Sequence, residues 1–406
     1  MLSAIVWEWV DLAVRWLHVI AGIAWIGSSF YFVHLDASLK RRDGLPDGAG
    51  GEAWQVHAGG FYHMVKYMVA PDRMPDELTW FKWEAYTTWL SGFALLVVLY
   101  YFSAELYLVD PAVLDLPPWA AILISLGGLA LGWLVYDRLC KSPLGQDDTR
   151  LAAVGFVFLV ALAWLFTLLL SGRGAYMQMG ALVGTMMVAN VFFIIIPNQR
   201  TVVTSLLAGE TPDPGLGRRA KQRSMHNNYL TLPVLFLMIS NHYPLAFASD
   251  WNWLIFALVL VIGAVIRHFY NVRHTGRPSP WWTWGVATAG MLTIVWLSTL
   301  QPSLEAEAGE AAGGSQARID PVEVENVVLG YCSMCHAAEP LWEGMASPPK
   351  GVVLETPEQI RLHARQIYLQ AVLTDAMPPP VVTDLDPDSR RLLAAWYEAG
   401  APMPTR

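Results

Sequence analysis

The sequence predicts an all-α fold, a polytopic transmembrane helix bundle of about eight spans followed by a small soluble helical domain. Composition is the first reason, because 54% of the 406 residues are hydrophobic and only 15% are charged, which is too apolar for a soluble protein of this length. The second reason is that apolar runs of membrane-spanning length recur along the chain, and the third is that Lys and Arg collect in alternate loops. The formal net charge of -8 provides no basic field for nucleic acid, so we expect no nucleic-acid partner.

Apolar runs define the predicted spans, and each is about 18 to 25 residues long, enough to cross a hydrocarbon core of roughly 30 Å. They cover residues 9–33, 86–104, 119–137, 151–171, 176–197, 228–245, 251–270 and 281–300. The first run has no cationic start and no small-residue cleavage site, so we expect a retained helix and not a signal peptide. Together the runs predict a transmembrane domain over residues 1–300.

The charges of the loops predict the orientation of this domain. Lys and Arg fall between spans one and two, three and four, five and six, and seven and eight, whereas the alternate loops contain only Arg173. Cytoplasmic loops collect Lys and Arg. We therefore expect a bacterial inner-membrane protein whose N-terminus and C-terminal domain both lie on the periplasmic side.

The chain after the last span divides into a linker and a second domain. Residues 301–317, QPSLEAEAGEAAGGSQA, are acidic and rich in Ala and Gly, which predicts a flexible linker. Residues 318–406 follow as a domain that is small for a self-sufficient core. Such a domain would gain stability from a large internal cofactor.

The C-terminal domain contains the C-x-x-C-H pattern of c-type haem attachment, in Cys332, Cys335 and His336. On a helix the two thiols share one face and can both bond the porphyrin vinyl groups, while the adjacent histidine reaches the iron as an axial ligand. A zinc site or a redox dithiol is the alternative, but no second Cys/His pair lies nearby in the sequence. Haem c is attached outside the cytoplasm, in agreement with the orientation that the loop charges predict.

Met377 is the predicted second axial ligand, because the rigid run 378–380 of three prolines would hold its thioether against the haem. Thioether ligation also raises the reduction potential, which suits an electron acceptor. Met345 and Met403 are alternatives, and His363 would give a bis-histidine site. With helical patterns near both ends of the domain, these features predict a small class I cytochrome c domain.

Histidines within membrane helices are costly and are therefore functional candidates. His18 and His242 are predicted near the periplasmic side, where they could bind a haem b, although His18 could equally be a hydrogen-bonded core residue. Gly22, one turn beyond His18, would leave room for a porphyrin or for a neighbouring helix. Arg15 can pair with Asp11 four residues earlier, or place a cation beside a haem propionate or an anionic substrate.

A second group of histidines, His34, His226 and His268, is predicted toward the cytoplasmic side. Asn227 and Asn228 follow His226 directly, and their amides could bind a polar heterocycle. Each of these residues could instead form a helix cap or an interhelical hydrogen bond. His57, His63 and His274 are predicted to lie in loops.

Four stretches carry a resemblance to a known family. They are EWVDLAVRWLHVIAGIAWIGSSFYFVHLD at the start, GEAWQVHAGGFYHMVKY in the first loop, RSMHNNYLTLPVLFLMISNHYP across span six, and the C-terminal YCSMCH. In these stretches the chain resembles the PuuD-type membrane-bound urate oxidases, also called urate hydroxylases. The first span is also similar to HemJ-type protoporphyrinogen oxidases, membrane haem proteins, and this favours His18 as a haem b ligand.

The resemblance implies oxidation of urate to 5-hydroxyisourate in purine catabolism, with electrons passing through haem to the C-terminal cytochrome c and on to a downstream cytochrome c or terminal oxidase. It carries Cys332, Cys335, His336 and Met377 over as haem c residues. We expect His226 to be the catalytic base. The competing hypotheses are a quinol-linked electron-transfer subunit without urate activity, and a transporter with a tethered cytochrome.

Overall fold

The computed structural model describes residues 2–71, 73–300, 319–342, 345 and 347–403. The protein is mostly helical, with 69% helix and 5% strand. The elements of the first 300 residues are α1 (Leu2–Ser38), β1 (Ala49–His57), β2 (Gly60–Tyr67), α2 (Trp83–Leu95) with a π-helical continuation (Leu96–Tyr101), α3 (Ala104–Tyr107), α4 (Pro118–Lys141), a 3-10 turn (Pro143–Gln146), α5 (Asp148–Thr167), α6 (Gly172–Ala189), a π-helical segment (Asn190–Ile195), α7 (Ile196–Leu207), α8 (Pro214–Ser240), α9 (Pro244–Phe247), α10 (Asn252–His274) and α11 (Trp282–Thr299).

Among the described residues, five helices are long and apolar enough to cross a membrane. They are Trp9–Ser38 within α1, then α4, α5, the continuous helix Gly172–Leu207 formed by α6 and α7, and α10. Helices α2, α8 and α11 cover the other three predicted spans. The prediction of a helical membrane protein is therefore confirmed, while the count of eight spans stays a prediction.

The bundle contains a closed ring of helix contacts, in which α1 packs on α2 and α10, α2 on α6, α6 on α8, and α8 on α10. Helix α6 is the most enclosed, with Tyr176, Leu182 and Met186 among side chains that are buried on several sides. A helix that is apolar all round must be surrounded by other helices. Helices α4 and α5 complete the enclosure of α6.

Pro233 lies inside α8 at its contact with α10. A Cβ atom at Gly263 of α10 would lie 2.5 Å from Pro233 Cδ, so only glycine permits this approach of the two helices. A membrane helix tolerates proline where its neighbours pack closely around it. The close contact fixes α10 against α8, and polar residues of both helices meet nearer to the C-terminal end of α10.

Between α1 and α2 the expectation of an all-α fold is wrong, because β1 and β2 form an antiparallel hairpin. Its turn residues Ala58 and Gly59 have φ angles of 50° and 79°, as a type I′ turn requires, and the twist of that turn suits a hairpin. Trp54 stacks on its cross-strand partner His63 with ring centroids 4.2 Å apart. His57 and His63 are therefore strand residues and not loop residues.

Two faces of the bundle can be defined from its aromatic contacts. The hairpin face is the side at which α1 ends, where the rings of Phe32 and Phe81 lie 4.9 Å apart. The far face is the side at which α1 begins, where Trp7 and Phe102 lie 6.0 Å apart.

The C-terminal residues form a helical unit with its own hydrophobic core, centred on Val324, Val328, Leu393 and Trp396. Its first helix packs on its last, and Trp396 Nε1 donates a 2.9 Å hydrogen bond to the carbonyl of Pro402. The elements are α12 (Pro321–His336), a 3-10 turn (Pro349–Gly351), α13 (Pro357–Leu362), α14 (Ala364–Ile367), a π-helical segment (Tyr368–Val372) and α15 (Pro387–Glu398).

The C-terminal unit meets the bundle at the far face. Ala376 packs against the core of the bundle. Lys350 lies close enough to Arg173 and Arg15 for both cations to act on it, and burial together with these charges lowers the pKa of Lys350. The unit is therefore on the opposite side of the bundle from the hairpin.

Candidate functional site

The C-x-x-C-H motif forms the end of α12, so Cys332, Cys335 and His336 share one end of this helix. His336 Nδ1 lies 2.9 Å from the carbonyl oxygen of Val352. Because a carbonyl can only accept, Nδ1 carries the proton and Nε2 carries a lone pair. Proteins orient metal-binding histidines by a hydrogen bond of this kind, so the ring of His336 is suited to bind iron.

The two thiols of the motif are free and half-buried. Burial raises the pKa of Cys332 to about 12 and also raises the pKa of Cys335, whereas a reactive thiolate requires a lowered pKa. Within the described part of the chain, no three His, Cys, Asp or Glu side chains come together as a metal-binding group. Attachment of a haem to these two thiols stays a prediction.

The candidates for the second axial ligand differ in their surroundings. Met377 is half-buried, and its N–H donates to the carbonyl of Gln370 at 2.9 Å. Met403 packs against the core of the C-terminal unit. Burial lowers the pKa of His336 and nearby His363 lowers it further, while Nδ1 of His363 is buried without a hydrogen bond. The assignment of Met377 stays a prediction.

His18 is held against α2 by its Nδ1 atom, which lies 3.0 Å from the carbonyl of Thr88 and 3.1 Å from Ser91 Oγ. The Ser91 hydroxyl donates to the Thr87 carbonyl at 2.6 Å. Both neighbours of Nδ1 are therefore acceptors, so Nδ1 carries the proton and Nε2 carries the lone pair. Nothing lies within 4 Å of a Cβ built at Gly22. His18 therefore has the same tautomer as His336, in which Nε2 has a lone pair that could bind a metal.

The other predicted residues near His18 lie at the far face. Arg15 Nε is 2.8 Å from both carboxylate oxygens of Asp11, so the predicted pair is confirmed. His242 is exposed just after the end of α8. The described residues show no contact between His18 and His242, and their pairing on one haem stays a prediction.

His226 belongs to a hydrogen-bonded cluster between α4, α6 and α8. Its Nδ1 lies 2.7 Å from Tyr136 Oη and 3.9 Å from Cys140 Sγ. Tyr136 Oη also accepts a 3.0 Å hydrogen bond from Asn190 Nδ2. Asn190 Nδ2 lies 2.9 Å from Asn227 Oδ1. The role of His226 as a base stays a prediction, because this cluster has a structural role as well.

A buried ion pair supports the same cluster. Arg223, 3% exposed, donates to Asp137 Oδ1 at 2.7 Å and to Asn190 Oδ1 at 3.0 Å. Its guanidinium lies 4.9 Å from the centroid of the Tyr136 ring. Asp137 therefore supplies a counter-ion to this deeply buried arginine.

A second polar cluster lies between α1, α8 and α10, and the sequence indicated only part of it. Asn228 of α8 accepts hydrogen bonds from Arg267 and Asn271 of α10. Arg267 lies over the ring of Phe30 of α1. His274 is the last residue of α10 and not a loop residue, and its ring contacts His34 at 4.6 Å. The sequence feature that could have indicated Arg267 as a functional residue is its position inside a predicted span, where a charge is costly.

The fold defines a helical membrane protein with polar clusters between its helices. The family model described as urate oxidase N-terminal matches residues 4–298, and the chain belongs to that family. The membership supports an oxidoreductase with a urate-related oxidase function. Neither the curated proteins nor the solved structures contain a match to this chain. The family match ends before the C-terminal unit, so the proposal for that unit rests on its own residues.

Proposed function

We propose that the protein is a membrane-bound urate oxidase that converts urate to 5-hydroxyisourate and passes the electrons to a haem c in its C-terminal unit. Urate and one water give 5-hydroxyisourate, two protons and two electrons, so the reaction needs a base and an electron acceptor. A downstream cytochrome c or terminal oxidase of the respiratory chain would then take the electrons. The proposal joins the family membership of residues 4–298 to the motif at the end of α12.

The hydrogen bond from His336 to the Val352 carbonyl is the observation that carries the electron-transfer part of the proposal. It holds the ring with Nε2 free to bind iron. Cys332 and Cys335 would attach the haem as thioethers, each S–H adding across one vinyl group, and Met377 would supply the second axial ligand. When bound, this haem accepts one electron at a time, at a potential that thioether ligation raises.

His18 is our proposed ligand of a haem b inside the bundle, with His242 as the predicted partner. The Thr88 carbonyl and Ser91 hydroxyl fix its tautomer. A carrier is needed there if urate reacts near the hairpin face, because a core of roughly 30 Å is too thick for one useful tunnelling step.

His226 is our proposed proton acceptor for urate. Either atom can be the donor in the 2.7 Å contact between Nδ1 and Tyr136 Oη, and in either case one ring nitrogen of the neutral imidazole has a lone pair. Nε2 makes no hydrogen bond within the described residues. The ring is therefore oriented by Tyr136 and keeps one nitrogen that can take a proton.

We also propose that the far face is periplasmic and that the membrane is the bacterial inner membrane. The Lys- and Arg-rich loops flank the ends of helices at the hairpin face, which cytoplasmic loops would do. The C-terminal unit contacts the far face, where a haem c would be attached outside the cytoplasm.

A visible spectrum of the full-length protein before and after anaerobic addition of urate tests the function, together with a pyridine haemochrome count of c and b haems. We expect urate alone to reduce the haem c bands and both haem types to be present. If a quinol reduces the haem and urate does not, the protein is a respiratory electron-transfer subunit. Transport of urate across vesicles without its oxidation would instead favour the transporter hypothesis.

A further inference from the structure

Arg267 is a buried cation without a counter-ion. Its residue is 6% exposed, and among the described residues it forms hydrogen bonds only to the amide oxygens of Asn228 and Asn271, both at 3.3 Å. A guanidinium has five N–H donors, so three remain without a partner in the described part of the chain. Arg223, the other deeply buried arginine, has Asp137 at 2.7 Å. A buried charge is normally paired, so Arg267 lacks an anion.

Asn228 adds a second unmatched donor at the same place. The residue is 0% exposed, and its Oδ1 accepts from Arg267 Nε at 3.3 Å and from Asn271 Nδ2 at 3.0 Å. These two donors fix the orientation of the Asn228 amide, because the flipped form would place its NH2 group against the N–H groups of Arg267 and Asn271. Nδ2 is then buried with no acceptor among the described residues.

An aromatic ring and a pair of histidines complete the surroundings. The guanidinium of Arg267 lies 3.8 Å from the centroid of the Phe30 ring, so a cation–π contact holds it in position. His34 lies one turn beyond Phe30 in α1, and His274 lies two turns beyond Arg267 in α10. The centroids of their rings are 4.6 Å apart. His274 Nδ1 is also buried without a hydrogen bond. The unmatched groups therefore continue from Arg267 toward the hairpin face.

We propose that Arg267 and Asn228 form the binding site for the urate anion, an inference that rests on the proposed urate oxidase activity but places urate on the side of α8 opposite to His226, where the His34–His274 pair would be the proton acceptor. Urate is a planar monoanion at neutral pH with carbonyl oxygens on its rim. Its charge would neutralise Arg267, and its oxygens would accept from the free guanidinium N–H groups and from Asn228 Nδ2. Substrate would enter from the hairpin face, past His34 and His274.

The depth of the site favours a small anion over a lipid headgroup. Arg267 lies two turns before the end of α10, which corresponds to about 10 Å along the helix. A phosphate at the membrane surface would lie nearer the level of His274. The C-terminal unit contacts the opposite face, so a site at this depth also requires the intermediate carrier that we propose at His18.

Urate binding to the full-length protein in nanodiscs tests the site, measured by the urate-induced rise in melting temperature under anaerobic conditions. We expect Arg267→Gln to weaken urate binding about 10- to 100-fold, the effect of losing a charged hydrogen-bond donor. Arg273→Gln removes an exposed charge from the same helix and should bind urate as the wild type does. Equal weakening in both variants would overturn the site.

Asn228→Asp keeps the test decisive if Arg267→Gln folds poorly. The new carboxylate supplies the missing counter-ion, so we expect unchanged or higher stability without urate and loss of urate binding. If Arg267→Gln and Asn228→Asp both bind urate normally while urate reduces the haem c of the wild type, the proposed site is wrong and the proposed function stands. If the wild type neither binds urate nor shows reduction by it, the function fails as well. Stabilisation of the wild type, but not of Arg267→Gln, by phosphatidylglycerol would identify a lipid site and overturn the proposal.

Discussion

The substitution Gly92→Ala tests whether the geometry of His18 matters for haem binding. A Cβ atom at position 92 would lie 2.8 Å from Cε1 and 3.3 Å from Nδ1 of His18. Carbon atoms pack at about 3.5–4.0 Å, so one of the two helices or the imidazole must shift by roughly 1 Å. The hydrogen bond of His18 Nδ1 to the Thr88 carbonyl, now 3.0 Å, would then be lost or distorted.

The expected cost follows from this clash. Overpacking of one methyl group disfavours the native arrangement by about 1–3 kcal/mol, and a lost hydrogen bond adds about 0.5–1.5 kcal/mol. We expect the ratio of b-type to c-type haem, measured as pyridine haemochromes, to fall in Gly92→Ala while the c-type content is unchanged.

Gly127→Ala is the matched control, because nothing lies within 4 Å of a Cβ at this helical position. It should keep the wild-type haem ratio and gain slightly in helix stability. The reasoning is refuted if Gly92→Ala keeps the full b-type content and an unchanged b-haem spectrum, or if the wild type contains no b-type haem.

Three further predictions concern the ion pair, an acid-sensitive cap and the proposed base. Asp137→Asn leaves Arg223 buried without a counter-ion and should lower the unfolding free energy in detergent by about 3–5 kcal/mol. Hydrogen bonds from the Ser389 hydroxyl and N–H lower the pKa of Asp386 to about 2. The stabilisation of α15 by this carboxylate is therefore present above the unfolded pKa of about 3.9 and is lost as the pH falls toward about 2. An acid titration followed by haem c absorbance would measure this loss. His226→Ala should reduce urate-dependent turnover about 10²- to 10⁴-fold and leave dithionite reduction of the haem unchanged.

A matched control or a contradicting result accompanies each of these predictions. Asp147→Asn removes the charge of an exposed pair with Arg150 but keeps a side-chain oxygen that can cap the start of α5, so it should cost about 0–1 kcal/mol; a loss as large as that of Asp137→Asn would contradict the burial argument. Asp386→Ala should remove its share of the acid sensitivity, and an identical titration would argue against the cap. If His274→Gln loses turnover and His226→Ala does not, the proton acceptor is the His34–His274 pair beside Arg267.

The hairpin illustrates where reading of the sequence failed. The search for long apolar runs found a helix at every predicted span, because membrane helices depend on their own length and hydropathy. A short hairpin in a loop carries a weaker signal, and the stretch GEAWQVHAGGFYHMVKY was used only for the family resemblance. Its alternating pattern and the Ala58-Gly59 turn could have indicated strands. The error affected the first loop and left the helices of the bundle unchanged.

Tertiary contacts also changed the reading of the polar residues in the spans. Asn227 and Asn228 are adjacent in the sequence, which predicts that both amides could bind the same polar heterocycle. In the structure Asn227 joins the cluster of Asn190, whereas Asn228 faces Arg267, because neighbours on a helix point about 100° apart. Whether the N–H groups of an amide find an acceptor therefore depends on residues of the neighbouring helices.

By itself, the sequence determined the helical membrane character and the C-x-x-C-H motif, while the orientation expected from the loop charges stays a prediction. These features depend on local composition and spacing. Only the tertiary structure decided which histidines have a fixed tautomer, since the carbonyls of Thr88 and Val352 come from other parts of the chain. It also separated the paired Arg223 from the unpaired Arg267, because the counter-ion of a buried charge lies on another helix and no pattern within one helix reveals it.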